Sequence, residues 1–67
     1  MIKGLDSLSS EQQELLFRVN EFHTKCVGSD YKDGMEIIET WVNENNTVCA
    51  RLKNGNWYHY TQENTWF

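Results

Sequence analysis

At Met35 the spacing of the apolar residues changes, and that change limits the fold more than any other feature. Before it, Leu8, Gln12, Leu15, Leu16, Val19, Phe22, His23 and Cys26 recur at three- and four-residue steps. Such steps put them on one face of a helix, predicted over 8–27. After it, β-branched and aromatic residues alternate with polar ones, and strands are predicted over 36–42, 47–52 and 56–61. The expectation is one α+β domain covering 1–67: an N-terminal amphipathic helix packed on a three-stranded antiparallel β-meander.

The helix carries its own start and stop signals. Ser9 or Ser10 can cap, with Gln12 or Gln13 three residues on, as in a capping box. Gly28 suits a left-handed C-terminal cap. Glu14–Arg18 and Glu21–Lys25 are favourably oriented pairs four residues apart. The following loop, Gly28 to Gly34, contains aspartates, but a calcium loop placed on Gly34 finds Ser29, Tyr31 and Thr40 at ligand positions, which are the wrong types. An ordinary polar connector is expected there.

Asn54-Gly55 is a strong hairpin signal, because a two-residue turn needs positive φ at both positions. Such a turn pairs Leu52 with Trp57, Arg51 with Tyr58, Ala50 with His59 and Cys49 with Tyr60. With a parity-preserving turn over 43–46, one sheet face then carries Ile37, Glu39, Trp41, Val48, Ala50, Leu52, Trp57 and His59. The other carries Ile38, Thr40, Val42, Cys49, Arg51, Tyr58 and Tyr60. Both faces are substantially apolar, yet one helix covers only one of them. The helix is expected on the Trp41–Trp57 face, where small Ala50 leaves room. Cover for the second face is open between Trp66 and Phe67, Ile2 and Leu5, a second copy, or a ligand.

A chain of 67 residues buries only roughly 60% of the surface its unfolded form exposes, so the core leans on large aromatic side chains. The net charge is −4, with no clustered Lys or Arg. Duplex nucleic acid is therefore not an expected partner, and no regular row of carboxylates suggests a DNA mimic. No apolar signal region or membrane-length stretch is read, so a cytoplasmic protein with reduced Cys26 and Cys49 is expected. Asn45-Asn46-Thr47 matches a glycosylation acceptor but reads as turn chemistry in that setting.

Catalytic and metal readings are weak. His23, Cys26, Cys49 and His59 are zinc-ligand types, but the parity above sends Cys49 and His59 to opposite faces. Cys26 lies in the last helical turn, where the helix dipole opposes a thiolate. No phosphate loop, nucleophile elbow or poised carboxylate pair is present. No enzyme activity, catalytic residue, cofactor or metal is expected.

The expected binding residues are Ile38, Val42, Arg51, Tyr58, Tyr60 and Trp66. Arg51 beside Tyr58 and Tyr60 suits a protein contact, a base-stacking platform, or a plain cross-strand pair. The run from Glu39-Thr40-Trp41 to Asn54-Gly55-Asn56-Trp57-Tyr58-His59-Tyr60-Thr61 resembles hairpin segments of small accessory proteins of bacteriophages and mobile elements. Its size and acidic balance are also similar to phage-encoded inhibitors and counter-defence proteins. The resemblance implies a binding role in a bacterial cytoplasm and assigns no residue. The leading expectation is a small non-catalytic protein that binds and modulates a host protein through an aromatic sheet face or edge strand, with a homodimer plausible. The alternative is nucleotide binding or sequestration in a pocket lined by Arg51, Tyr58 and Tyr60, formed between subunits if the chain associates.

Overall fold

The computed structural model describes residues 2–27 and 33–67. A short 3-10 turn, Leu5–Ser7, precedes one helix, α1 (Ser10–Cys26), and three strands follow: β1 (Ile37–Val42), β2 (Val48–Leu52) and β3 (Trp57–Tyr60). The sheet is antiparallel in the order β1-β2-β3, and the fold is α+β. Gly28 and most of the 28–34 loop, with its calcium reading, fall outside the described residues.

Helix α1 starts where its capping chemistry predicts. The Ser9 hydroxyl accepts the Gln12 amide at 3.2 Å, and the Ser9 amide donates to Gln12 Oε1 at 2.8 Å, satisfying two otherwise free donors. Leu15, Leu16, Val19 and His23 are its buried residues, and Leu8 joins them from the preceding turn. Phe22 and Cys26, predicted on the same stripe, are exposed.

Both strand connections are one residue longer than a parity-preserving turn. Leu52 N donates to Asn56 O, and Gly55 N donates to Leu52 O. That pattern is a three-residue loop: a turn over Leu52–Gly55 whose last residue, Gly55, sits at φ +93°. Asn43 N to Thr47 O and Asn46 N to Asn43 O repeat it, with Asn46 at φ +63°. A one-residue slip exchanges the two faces of a strand. Arg51 therefore opposes Trp57, Ala50 opposes Tyr58, Cys49 opposes His59 and Val48 opposes Tyr60. In β1 the partners are Val42 with Val48, Trp41 with Cys49, Thr40 with Ala50 and Glu39 with Arg51. A bulge then lets Ile37 oppose Leu52.

The predicted faces are corrected accordingly. Ile37, Thr40, Val42, Val48, Ala50, Leu52, Tyr58 and Tyr60 share the helix side. Glu39, Trp41, Cys49, Arg51, Trp57 and His59 share the far side. Ala50 does lie under the helix, as expected, but beside Tyr58 and Tyr60 rather than Trp41 and Trp57. The core gathers Leu8, Leu15, Leu16, Val19, Met35, Ile37, Val48, Ala50, Leu52 and Tyr60. Buried Thr40 is satisfied by donating from Oγ1 to Cys49 O at 2.7 Å.

Chain ends extend the sheet on both sides. Lys3 pairs in parallel with Glu39 at the outer edge of β1. Beyond β3, Asn64 (φ +62°) closes a third turn of the same kind, Thr61–Thr65, and Trp66 bridges Tyr60. Ile2, Leu5 and Trp66 pack against the core, so these predicted candidates for covering the second face lie elsewhere.

Candidate binding face

The far side of the sheet is lined by aromatic rings in sequence. Trp41 and Trp57 are 5.6 Å apart between centroids, Trp57 and His59 5.1 Å, and His59 and Phe67 4.6 Å. The register produces this row. Trp41 and His59 stand on either side of Cys49, Trp57 fills the diagonal position one pair along, and the final segment brings Phe67 beside His59. Trp57 is 47% exposed and Phe67 70%. Cys49, small and central, is fully buried although no helix among the described residues lies on this side. Burial pushes its thiol pKa up, which keeps it protonated and a poor nucleophile.

Electrostatically the face is close to neutral. Arg51 Nε bonds Glu39 Oε1 at 3.3 Å, and its guanidinium carbon lies 5.7 Å from the Trp41 ring centroid. The cation is thus shared between a carboxylate and an aromatic face.

Against the helix, a second cluster surrounds His23. Its ring stacks on Trp66 at 4.5 Å and meets Tyr58 edge-on at 4.5 Å. Its Nδ1 lies 3.0 Å from the Tyr60 hydroxyl, which also accepts Asn20 Nδ2 at 3.2 Å. Asn20 has no proton-accepting role in that bond, so the phenol hydrogen is free to donate to a neutral His23 Nδ1. Burial lowers the His23 pKa and raises that of Tyr60, because both charged forms lose hydration there.

Of the six predicted binding residues, only Arg51 lies on the far face. Tyr60 is buried beneath α1, while Tyr58, Val42 and Trp66 are partly buried against the same core. Ile38 is exposed at the β1 bulge, beside Ile2 and Phe17. Arg51, Tyr58 and Tyr60 therefore line no common pocket within one chain. The argument from parity against zinc also changes: Cys49 and His59 are cross-strand partners, while His23 is separated from them by the sheet. Among the described residues no three His, Cys, Asp or Glu side chains converge as metal ligands.

Sequence reasoning placed Trp41, Trp57 and His59 on one face but expected the helix over it, and so missed them, with Phe67, as an exposed surface. A signal was present. Asn46, Gly55 and Asn64 recur nine residues apart, each closing the same turn. Equal spacing of alike turn segments argues for one loop length used three times, and that length is odd. Fold and face together define a small α+β domain with an aromatic sheet surface that no helix among the described residues covers. No protein family, curated protein or solved structure matches this chain, and no helix among the described residues is long and apolar enough to cross a membrane.

Proposed function

We propose that this chain is a small non-catalytic binding protein whose far sheet face docks on a partner protein and acts by occupying its surface. One observation carries the reading: the continuous row Trp41, Trp57, His59 and Phe67, with two of its rings about half exposed or more. Tryptophan and arginine are the side chains that concentrate binding energy at protein interfaces. The Glu39–Arg51 pair lets the face meet an apolar patch without stranding an unpaired charge.

A nucleotide reading draws less support from the same geometry. His59 and Phe67 are within 7° of parallel, so each ring spends one face on the other rather than on a base. Arg51, the cation of that face, is already engaged by Glu39. Two edges of the sheet are also partly paired by Lys3 and Trp66, which favours the face over an edge strand as the docking surface.

The test compares two surface variants in affinity capture from a cell extract. Trp57→Ser with Phe67→Ser alters the far face, and Phe22→Ser alters the exposed side of α1. A stoichiometric partner should be held by the wild type and by Phe22→Ser and lost from the double variant. A partner kept by the double variant and lost from Phe22→Ser contradicts the proposal.

A further inference from the structure

The chain has two histidines, and each stacks on one of its last two aromatic residues. His23 holds Trp66 on the helix side at 4.5 Å, and His59 holds Phe67 on the far side at 4.6 Å. The segment's ties to the rest of the chain are the backbone bonds exchanged by His59 and Phe67, the His59 Nδ1 contact with Phe67 O at 3.3 Å, and Arg18 Nε donating to Asn64 Oδ1 at 2.8 Å. Its other bonds, Thr61 with Thr65 and Asn64 N with Thr61 O, lie within the turn itself.

We propose that the segment 61–67 is a proton-sensitive strap: protonation of His23 releases Trp66 from the helix side and frees the outer edge of β3. With the neutral ring protonated at Nε2, His23 Nδ1 accepts the hydrogen of the Tyr60 hydroxyl, whose oxygen is taken by Asn20. A proton on Nδ1 turns it into a second donor, and the buried phenol hydrogen is left without an acceptor, a costly condition. An imidazolium stacked on Trp66 gains cation–π attraction, but it remains excluded from water. The groups facing the ring are Tyr58 and Tyr60 from β3, Asn20 from its own helix and Trp66 from the strap. The side chains β2 turns to the same core, Val48, Ala50 and Leu52, do not titrate. No carboxylate, lysine or arginine bonds His23 among the described residues. Trp66 and Tyr58 are both half-buried, but Trp66 lies outside the three strands, so displacing it is the shortest route to hydration. Burial already lowers the His23 pKa, which couples opening to acid. Each unit of separation between closed and open values favours opening tenfold.

The strap does not depend on the docking reading, although Phe67 is common to both. Amide hydrogen exchange, corrected for intrinsic rates, tests it between about pH 7.5 and about pH 5, where an imidazole titrates. Protection at His59, Thr61 and Phe67 should fall about tenfold or more relative to Ala50 in β2. His23→Gln should remove that pH dependence, and His59→Gln should retain it. Should His23→Gln fail to fold, the carbon shifts of His23 in the wild type give its titration directly, and it must coincide with the loss of protection. A strap-to-β2 ratio that stays constant, including a uniform loss at all amides, overturns the proposal. So does a His23 titration at or above the exposed-imidazole value of 6.5.

Discussion

His59 and Phe67 lie ring on ring, 4.6 Å between centroids and 7° from parallel, while their backbones exchange both hydrogen bonds. This pairing adds a short fourth strip to a three-stranded sheet. Alternation along the strip sends Phe67 to the far face and Trp66 to the helix side, so one segment supplies a ring to each. Lys3 does the corresponding work at the other edge, beside Glu39. With both edges partly paired, the far face presents exposed Trp57 and Phe67, while Phe17 and Phe22 on α1 and Ile38 at the β1 bulge are exposed elsewhere.

Burial separates residues that hold the fold from residues that present a surface. Leu16 is fully buried, and Leu16→Ala should cost about 2–5 kcal/mol, enough to unfold much of the population in a domain this small. Trp57→Ala, on the exposed row, should cost about 1 kcal/mol or less. Urea denaturation followed by circular dichroism measures both.

Two glycines with positive φ should respond unequally. Gly55 (φ +93°) has open space where a Cβ would stand, so Gly55→Ala should cost about 1–2 kcal/mol of backbone strain alone. A Cβ on Gly4 (φ +85°) would collide with the Thr40 carbonyl oxygen. Gly4→Ala should therefore cost more than Gly55→Ala and reduce exchange protection at the Thr40 amide, which donates to Lys3 O at 2.8 Å.

The two thiols are free, Cys26 exposed and Cys49 buried. In native protein a thiol-specific reagent should label Cys26 promptly and Cys49 only after unfolding. Trp41→Ala should speed labelling at Cys49, because the far face is covered there by aromatic side chains rather than by a helix.

Global stability should also depend on pH through His23. Its folded-state pKa lies below the 6.5 of an exposed imidazole, so the unfolded chain binds the proton more readily. The contribution is complete above 6.5, shrinks as pH falls below that value, and is gone beneath the folded-state pKa. Denaturation midpoints at stepped pH should show this loss, and Tyr60→Phe, removing the hydroxyl beside Nδ1, should lower stability by about 1–2 kcal/mol at neutral pH.

Helix α1, its Ser9–Gln12 cap and the three strands were legible because each is written in local chemistry: apolar period, capping side chains and β-branched runs. The side of each strand was not. Asn54-Gly55 fits both a two-residue turn and the last two positions of a three-residue loop, since both need positive φ at Gly55. Choosing the shorter loop moved Trp57 and His59 under the helix and Tyr58 and Tyr60 out, and the candidate site moved with them. What selects the longer loop is tertiary: Tyr60 reaches Asn20 and His23 on α1, and Trp66 then closes over His23.

The account of the binding face rests on the register of β3, which cross-strand proton contacts read directly. In the register described, Cys49 and His59 form a pair without mutual hydrogen bonds, where Cα atoms come to about 4.5 Å. A strong Hα–Hα nuclear Overhauser contact between Cys49 and His59, with its counterpart between Arg51 and Trp57, is the predicted result. Strong Hα–Hα contacts joining Leu52 to Trp57 and Ala50 to His59, the pairs without mutual hydrogen bonds in a two-residue-turn register, would return the tyrosines to the far face and contradict the aromatic row.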